Sequence, residues 1–511
     1  MTADHTNHRI TTDMRAAHWQ AAGVEPFDVL ILGGGITGTS LYAELCSRGW
    51  RTLLIDKGDF ASGTSQSSAM MVWGGLLYLR AGDVLNVLKL SHARDRMIAA
   101  SDGWTAPSSF HYIPSLNGGM SSPLVGAGLW FYWLLGAGRR RLPGYRRKFA
   151  ETALLSEHVH RGAFCYEEGL LTGSDARFVL HWLTPYQPPG RAAVNYCDME
   201  SCEYVRSEGA WRLELRDRLR GVSTGARARL IVNCTGVWAD TINHRQGIET
   251  PFRHALSKGV FIGLAREEGH YSPLIFDMGA HDDVMSWIPW GPVALWGPTE
   301  TAIGEIEEGL TPQPEDIGFL LETANRHLRR KIGPQDIVSV RCGIRALAVD
   351  RDYVATCYPL ELSRRSIVHA ELDVPWITAY GGKLTGSREL AGRIARLIRR
   401  RLATSSGPAA PAAAGPMAET GLFPGLEQPV AAPRWCRDRE FCCTLEDYLR
   451  RRTNIAQWVP REGLGRHGEY RDAILAAARE FHDGDEGAAT AAVAHHEETV
   501  VTRFDKLLSG T

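Results

Sequence analysis

Residues 28–38 read Asp28-Val29-Leu30-Ile31-Leu32-Gly33-Gly34-Gly35-Ile36-Thr37-Gly38, a short apolar strand that runs into the pattern G-x-G-x-x-G. In this pattern the first glycine permits a tight turn and the second lets the backbone approach a pyrophosphate, while the third lets the following helix pack closely on the strand. The N-terminus of that helix offers unpaired N–H groups and a partial positive charge to phosphate oxygens. The stretch therefore predicts a phosphate-binding turn between a strand and a helix.

The residues after the glycine turn complete a strand–helix–strand unit. A helical stretch at Thr39–Ser47 leads to a second apolar strand, Thr52–Ile55, which ends at Asp56. An acidic residue about 20 positions beyond the glycines is where dinucleotide-binding folds hold a ribose hydroxyl. The complete unit is much more specific than a glycine-rich turn alone, so we predict a dinucleotide site in a Rossmann-like α/β domain.

The composition is that of an ordinary globular protein with two to three domains. The chain has 511 residues, of which 44% are hydrophobic and 23% charged, and its formal net charge of −1 argues against an extended nucleic-acid interface. Its ten cysteines show neither C-x-x-C pairs nor a metal-ligand spacing, so we expect reduced thiols and no metal site. No signal peptide precedes the first strand, and we expect a cytoplasmic protein.

An apolar segment at Leu124–Ala137 contains the aromatic run Trp130-Phe131-Tyr132-Trp133. The segment is too short for the roughly 20 apolar residues of a membrane span. Basic clusters follow it at 139–141 and 146–148. Aromatic side chains beside basic ones can lie on an anionic membrane surface, so peripheral membrane contact through residues 124–148 is one interpretation. A buried helix or the face of a homodimer is the other interpretation, and we favour it.

Hydrophobic periodicity places further elements along the chain. It predicts a helix at 83–102, a basic helix at 387–401, and strands at 211–215, 228–232, 284–289 and 293–296. Two apolar strands end in small-residue turns, at Asn233–Gly236 and at Gly381–Lys383. These two strands return the chain to the nucleotide domain after excursions elsewhere.

We therefore predict a discontinuous nucleotide-binding domain, with an inserted mixed β-sheet domain for the substrate and an appended helical domain. The predicted segments are 27–105, 155–250 and 340–402 for the nucleotide-binding domain (27–402 overall), and 106–154 and 251–339 for the inserted domain. The remaining segments are a flexible arm at 1–26, an Ala/Pro-rich linker at 403–431 and a C-terminal helical domain at 432–511. A nicotinamide enzyme usually completes its cofactor domain before the catalytic domain starts, so this layout favours a long, permanently held cofactor such as FAD.

Several short motifs occur in a fixed order: Gly33–Gly38, Gly63–Ser65, Gly74–Leu79, Thr235–Trp238, Ile288–Trp290, Gly343–Arg345, Gly381–Thr385 and Thr444–Thr453. Over roughly residues 27–455 they resemble the FAD-dependent glycerol-3-phosphate dehydrogenases of the glycine/D-amino-acid-oxidase-like superfamily. The resemblance implies non-covalently bound FAD and hydride transfer from a CH–OH carbon of a small polar substrate to flavin N5. The residues that it implies for holding FAD are Gly33, Gly35, Ile36, Thr37, Gly38, Asp56, Lys57, Thr64, Ser65, Gly75, Thr235, Gly236, Gly382, Lys383, Leu384 and Thr385.

The departures from the family pattern concern the substrate pocket. Leu77 replaces the arginine of the family motif G-G-L-R-Y-L, which helps bind the substrate phosphate, and Phe261 replaces a histidine. Met70 and Trp73 take the places of a family lysine and histidine. The loss of one charge-assisted hydrogen bond weakens phosphate binding by about ten- to a hundredfold. These changes predict a less anionic or bulkier substrate than glycerol 3-phosphate.

Three family residues persist and form the predicted catalytic set. The resemblance makes Arg345 an anchor for substrate oxygen atoms, Lys383 an orienting cation or base, and Tyr78 a hydrogen-bond partner of the substrate. A surface ion pair with Asp350 or Asp352 is the alternative role of Arg345. The predicted substrate pocket comprises Leu77, Trp73, Met70, Phe261, Arg364 and Glu300, of which Glu300 is the candidate general base.

The sequence does not distinguish between a quinone and oxygen as the electron acceptor. Three alternatives to a CH–OH dehydrogenase with a changed substrate also stay open: a true glycerol-3-phosphate dehydrogenase with a relocated phosphate clamp, an amine or amino-acid oxidase that releases hydrogen peroxide, and a flavin-bearing protein without turnover. The G-G-L-x-Y-L stretch and the segment Thr444–Thr453 favour the dehydrogenase.

Overall fold

A computed structural model describes residues 13–24, 26–80, 82–116, 120–157, 161–279, 284–354, 365–404, 407 and 419–510. Their strands are β1 (Pro26–Leu32), β2 (Thr52–Ile55), β3 (Met71–Val72), β4 (Thr105–Ile113), β5 (Gly144–Arg146), β6 (Ala163–Leu171), β7 (Arg191–Val194), β8 (Cys197–Val205), β9 (Ala210–Asp217), β10 (Ser223–Asn233), β11 (Phe252–Ala265), β12 (Leu274–Asp277), β13 (Val284–Trp290), β14 (Val293–Gly297), β15 (Thr301–Ile303), β16 (Ile337–Asp350), β17 (Ile367–Ala370), β18 (Trp376–Tyr380), β19 (Thr420–Gly421) and β20 (Val430–Ala431). Their α-helices are α1 (Asp13–Val24), α2 (Ile36–Ser47), α3 (Val84–Ala100), α4 (Ser122–Leu135), α5 (Asp175–His181), α6 (Ala239–Arg245), α7 (Pro314–His327), α8 (Ser387–Arg401), α9 (Pro433–Arg439), α10 (Ile455–Trp458), α11 (Arg471–Phe481), α12 (Glu486–Val500) and α13 (Lys506–Ser509).

The first large sheet has the topology of a nucleotide-binding domain. Its main path runs β17-β18-β10-β1-β2-β7, and β1 lies parallel to both β2 and β10. Strand β18 continues the parallel set beside β10, and β7 continues it beside β2, so the carboxyl ends of five strands lie along one edge. Ligands of such sheets bind outside the carboxyl ends of the strands, and this edge carries Gly33, Asp56 and Gly381.

The second large sheet is mixed. Its main path runs β15-β11-β14-β13-β12-β4-β6-β3, and β16 pairs antiparallel along most of β11. Side chains alternate between the two faces of a strand, so Ser257 and Phe261 lie on the same face of β11. In the pairing with β16, Ser257 lies beside Arg345 and Phe261 lies beside Arg341. Val260 and Ile262 lie on the other face, where they join the core beneath the C-terminal helices.

The helices and strands predicted from periodicity are confirmed. Helix α8 and strand β2 have the predicted bounds, and α3 lies within the predicted helix at 83–102. The four predicted strands lie within β9, β10, β13 and β14. The return of the chain to the first sheet after each excursion is also confirmed, through β10 and β18.

The expectation of a flexible arm at 1–26 is wrong for residues 13–24, which form α1. Arg15 is buried and donates hydrogen bonds of 2.7 and 2.9 Å to the two carboxylate oxygens of Asp217, as well as one to the backbone oxygen of Asn195. Asp217 lies 202 positions away in the sequence, so the local polar composition could not reveal this partner. The residues before α1 lie outside the described residues.

The linker predicted at 403–431 is folded in its second part. Strands β19 and β20 pair antiparallel within its second part, and Phe423 and Val430 are buried there. Residues 408–418, the most alanine-rich stretch, lie outside the described residues. The tail that follows packs on the second sheet, because Leu449 and Phe481 share one hydrophobic core with Val260. The exact domain boundaries stay predictions.

Helix α4 is buried on one face only, so a wholly buried helix is excluded, while the dimer face that belongs to the same favoured interpretation is not. Val125, Leu129 and Tyr132 face the interior, but the opposite face exposes Leu124, Trp130, Phe131 and Leu134 to between 45% and 60% of their surface. A dimer face and a membrane-contacting face both remain compatible with this exposure. Among the helices that the structure describes, none combines the length and the apolarity that a membrane span requires.

Candidate active site

A cavity of about 1490 Å³ opens where the carboxyl edge of the first sheet meets the second sheet. Its wall includes the β1–α2 turn, the loop after β2, the end of β10 and the β18–α8 turn, together with residues of β11 and β16. Pockets for drug-sized ligands measure about 300–1,000 Å³. The cavity therefore has room for a dinucleotide and a second small molecule.

The glycine turn leaves no space for side chains. A Cβ atom on Gly38 would lie 1.9 Å from the backbone oxygen of Gly33, and one on Gly33 would lie 2.7 Å from the backbone oxygen of Cys234. Gly33 also has a φ of +97°, which favours glycine. Gly35 is the N-cap of α2, so the first turn of that helix faces the cavity and can stabilise phosphate oxygens. Gly38 packs behind the turn and does not line the cavity.

Asp56 lies at the cavity wall and is held by the backbone. Its two carboxylate oxygens accept hydrogen bonds from Gly34 N at 2.7 Å and from Gly58 N at 2.8 Å. Burial outweighs these hydrogen bonds and raises the pKa of Asp56 to about 6. A carboxylate in this position can accept hydrogen bonds from ribose hydroxyls, which is the role that the sequence predicts.

Other predicted cofactor residues line the same wall. The Nζ atom of Lys57 lies 4.1 Å from the ring centre of Trp238. Thr64 Oγ1 donates a hydrogen bond of 2.6 Å to the backbone oxygen of Ile344, and Ser65 Oγ accepts one of 3.0 Å from Ile36 N. The loop that carries Thr64 and Ser65 is therefore tied both to β16 and to the first turn of α2.

Lys383 and Tyr78 form a pair in the cavity. Lys383 Nζ donates a hydrogen bond to Tyr78 Oη and lies 3.9 Å from the centre of the Tyr78 ring. The ring of Trp73 lies 5.4 Å from that of Tyr78, and Trp73 N donates to Thr385 Oγ1 at 2.9 Å. The structure thus brings together residues that lie about 300 positions apart in the sequence.

Arg345 faces the cavity and forms an ion pair with Glu300, in which Arg345 Nη1 lies 2.5 Å from a carboxylate oxygen. Ser257 Oγ donates a hydrogen bond to Glu300 as well. The guanidinium of Arg345 lies over the backbone of Gly259, where a Cβ atom would approach it to 2.6 Å. Glu300 is 6% exposed and Arg345 is 23% exposed at the side chain, so the alternative of a surface ion pair for Arg345 is wrong.

Six further cations line the cavity, and the sequence analysis missed all of them: Arg80, Arg218, Arg245, Lys258, Arg326 and Arg365. Lys258 Nζ lies 2.6 Å from a carboxylate oxygen of the buried Asp316, and Arg80 Nη2 lies 2.9 Å from one of Asp277. Arg80 follows Leu77 by three positions at the end of a 3₁₀ turn, in which residues three apart lie on the same side. That spacing is the signal that could have identified Arg80.

The structure places most of the predicted site residues around the cavity. Lining residues from the predictions are Gly33, Gly35, Ile36, Thr37, Asp56, Lys57, Thr64, Ser65, Trp73, Leu77, Tyr78, Thr235, Gly236, Phe261, Glu300, Arg345, Gly382, Lys383, Leu384 and Thr385. Gly38 and Gly75 do not line it, and Met70 is buried in the adjoining core while its neighbour Met71 lines the cavity. Arg364 lies outside the described residues.

Residues 28–387 match the family described as DAO, FAD dependent oxidoreductase, and the chain belongs to that family. It is 30% identical over 387 residues to D-erythritol 1-phosphate dehydrogenase of Brucella abortus (strain 2308), covering 72% of this chain and 73% of that protein. It is 29% identical over 340 residues to glycerol-3-phosphate dehydrogenase of Mycobacterium leprae (strain TN), covering 65% and 57%. The fold is similar to that of glycerol-3-phosphate dehydrogenase from Bacillus halodurans complexed with FAD, with a TM-score of 0.68 at 20% identity over 98% of this chain and 99% of that one.

The cavity fits FAD, the cofactor of the family. The crowded glycine turn allows the close backbone approach that a pyrophosphate needs, and the first turn of α2 faces the same space. Asp56 is placed to accept the ribose hydroxyls of the ADP half. Gly236, Gly382 and Leu384 would then hold the flavin end, beside Lys383.

Proposed function

We propose that this chain oxidises a CH–OH carbon of a small polyhydroxy substrate that carries less negative charge than a phosphate ester. Bound FAD supplies the acceptor for the hydride. One observation carries the proposal: the Arg345–Glu300 ion pair and the Lys383–Tyr78 pair line the same cavity as the glycine turn. The part of the cavity that these two pairs line is called the chamber below. The enzymatic class is that of the family, and the substrate is our inference.

We assign the roles within the chamber from chemistry and position. The planar guanidinium of Arg345 can hold two substrate oxygens at once and so orient the carbon that is oxidised. Tyr78 Oη, fixed by Lys383 Nζ, supplies a third polar contact to the substrate. Glu300 is the carboxylate beside Arg345, and we assign to its oxygens the proton that leaves the substrate hydroxyl.

The charge pairing of the chamber supports a weakly charged substrate. The lining cations Arg345, Lys258 and Arg80 are each paired with a carboxylate. Their partners are Glu300, Asp316 and Asp277, respectively. A phosphate group bound to Arg345 would bring further negative charge beside the buried carboxylate of Glu300, and this repulsion would oppose binding. A hydroxyl can bind between the two because it donates to one and accepts from the other.

Anaerobic reduction of the bound flavin tests this proposal. Bleaching of the flavin band at about 450 nm would be measured with uncharged polyols, with their phosphate esters including glycerol 3-phosphate, and with amines and amino acids. We expect bleaching by uncharged polyols. Bleaching by glycerol 3-phosphate at micromolar concentration would refute the changed substrate and support a relocated phosphate clamp. Bleaching by amines alone would refute CH–OH oxidation, and no bleaching by any class would support a flavoprotein without turnover.

Glu300→Gln separates the two roles of the Arg345–Glu300 pair. The amide keeps the size of the side chain and a hydrogen bond to Arg345, but it cannot take a proton. We expect the variant to retain FAD and to slow flavin reduction by about 10²-fold or more. We also expect it to bind phosphate esters more tightly than the parent, since a negative charge has gone. Unchanged flavin reduction would remove Glu300 from the mechanism.

We also propose that the exposed face of α4 rests on an anionic membrane surface, which would bring the enzyme to a quinone acceptor. Trp130, Phe131 and Leu134 form an apolar face, and the exposed basic residues at 139, 141 and 146–148 follow it in the chain. This combination of aromatic and basic residues suits the interface of anionic lipids.

Vesicle sedimentation shows whether a membrane or a second copy of the chain covers the exposed face of α4. We expect binding to phosphatidylserine-containing vesicles at about 0.1 M salt, little binding to phosphatidylcholine alone, and release at about 1 M salt. The double substitution of Trp130 and Phe131 by Ser should abolish binding without loss of flavin. A lipid-independent dimer that these substitutions dissociate would show instead that a second copy covers the face.

A further inference from the structure

Two buried arginines of the C-terminal tail contact the nucleotide-binding domain (called the cofactor domain below) outside the cavity. Arg451 and Arg452 lie in the π-helical turn Asp447–Arg452, outside the segment 28–387 that matches the family. Their side chains are 4% and 0% exposed. Their main partner is Asp59, whose side chain is fully buried in the loop after β2. Nothing in the proposed chemistry uses these groups.

Arg452 and Arg451 share Asp59 but differ in their other partners. Arg452 donates hydrogen bonds of 2.8 and 2.9 Å to the two carboxylate oxygens of Asp59. Arg451 donates to Asp59 at 2.6 Å through Nε, to Asp447 at 2.5 Å through Nη2, and to Gln66 Oε1 at 3.1 Å through Nη1. Asp59 and Gln66 both lie in the connection between β2 and β3, whose residues 56–62 and 64–66 are called the two cofactor loops below. Arg451 therefore bridges both of these loops, whereas Arg452 contacts only the first.

These two loops carry the predicted contacts to FAD. Asp59 lies between Asp56 and Ser62, which both line the cavity, and Gln66 ends the 3₁₀ turn that presents Thr64 to it. Asp59 and Gln66 themselves do not line the cavity. The first loop lines the cavity with Asp56 and Ser62 and contacts Arg451 through Asp59. The second loop lines the cavity with Thr64 and contacts Arg451 through Gln66.

Gln66 also joins the two loops directly. Its Nε2 atom donates a hydrogen bond of 2.5 Å to the backbone oxygen of Ser62, and Ser62 N donates one of 3.1 Å to the backbone oxygen of Asp59. A continuous set of hydrogen bonds therefore runs from Arg451 through Gln66 and Ser62 to Asp59 and back to Arg451. Loops fixed in this way need little ordering when a ligand binds, which favours affinity.

We infer that Arg451 is a positioning residue for FAD: through Gln66 and Asp59 it fixes the two cofactor loops relative to each other, so that the C-terminal tail controls how tightly the flavin is held. The inference requires only that FAD binds in the cavity and is independent of the substrate. It gives the tail a role in the cofactor site that the family match, which ends at residue 387, does not include.

Gln66→Leu tests the bridge without removing a buried charge. The matched control is Gln187→Leu, because Gln187 also joins a backbone oxygen (Thr184, 2.9 Å) to a side chain (His18, 2.8 Å) but does not line the cavity or contact either loop. FAD release from the full-length holoprotein would be followed by the rise in flavin fluorescence on serial dilution. Visible circular dichroism of the bound flavin and the melting temperature of the apoprotein complete the measurements.

We expect Gln66→Leu to raise the Kd for FAD about tenfold and to change the visible circular dichroism. The apoprotein should melt within about 2 °C of the Gln187→Leu variant. Gln66→Glu keeps an acceptor for Arg451 and should bind FAD more tightly than Gln66→Leu. Arg451→Lys keeps the charge but cannot reach three partners, so it should weaken FAD binding at least as much as Gln66→Leu. The inference is overturned if both Gln66→Leu and Arg451→Lys leave Kd within twofold of the parent, or if Gln187→Leu weakens FAD binding equally.

Discussion

Replacement of Asp56 by Asn should have opposite effects on the apoprotein and on cofactor binding. Asp56 is held at the cavity wall with a pKa of about 6, against a usual value near 4, because burial disfavours its charge. The folded apoprotein therefore binds this proton more tightly than the unfolded chain does. The stability that protonation contributes is present below about pH 4 and is lost as the pH rises through about 6. Above that pH the ionised carboxylate is a net cost to the fold.

The magnitude follows from the pKa. A difference of about two pKa units corresponds to roughly 3 kcal/mol, and contact with solvent at the cavity wall reduces this figure. An Asn amide would also lose one of the two backbone hydrogen bonds, from Gly34 or Gly58, at about 1 kcal/mol. We expect a net gain of about 1 kcal/mol in the stability of the apoprotein above about pH 7. The loss of a charge-assisted hydrogen bond to ribose should weaken FAD binding about ten- to a hundredfold.

Thermal melts of apoprotein and dilution-induced release of FAD, both measured across the pH range, check this prediction. The parent should hold FAD with constant affinity above about pH 6 and lose affinity by up to tenfold per pH unit below it, while Asp56→Asn should show no such dependence. Asp485→Asn is the control, because Asp485 caps α12 through Ala488 N, and Asn caps a helix equally well. A lower melting temperature of Asp56→Asn apoprotein, or undiminished FAD affinity, would refute the reasoning.

Three further substitutions or treatments have defined outcomes. Gly38→Ala should give colourless protein, because its Cβ atom would lie 1.9 Å from the backbone oxygen of Gly33 and push α2 off β1; absorbance of the purified protein reports this. Gly259→Ala should keep the flavin but raise the substrate concentration for half-maximal bleaching about tenfold or more, because the new methyl group displaces the guanidinium of Arg345; an unchanged value would argue against Arg345 as the anchor. Burial raises the pKa of Cys46 to about 12, so iodoacetamide at pH 8 should leave this thiol unmodified in the native protein, as peptide mapping would show.

The parts of the fold that the sequence predicts are those whose signals are local. The periodicity of α8 gives its bounds correctly. The glycine spacing locates the turn after β1, although α2 begins at Ile36, three residues before the predicted helix. The direction of a single side chain is less secure, because it depends on the local backbone, and Met70 lies just before β3 with a φ of +59°. Met70 was predicted in the pocket, but Met71 lines the cavity and Met70 packs in the core.

The missing parts depend on contacts between distant residues. No local pattern reveals that Arg345 pairs with Glu300, 45 positions away, or that Arg15 of the supposed arm reaches Asp217. The same holds for the bridge from Arg451 to the cofactor loops. The family motifs identified the tail segment Thr444–Thr453, but only the packed structure shows what its arginines contact.

The bond between Arg452 and Asp59 joins residues 393 positions apart, and this separation has a consequence for biosynthesis. A nascent chain emerges from the ribosome with its N-terminal half first. Strand β10 then exposes an unpaired edge until β18 arrives, and the loop after β2 lacks its arginine partners until almost the whole chain has been translated. We therefore expect the FAD site to become complete only after nearly the whole chain has been synthesised.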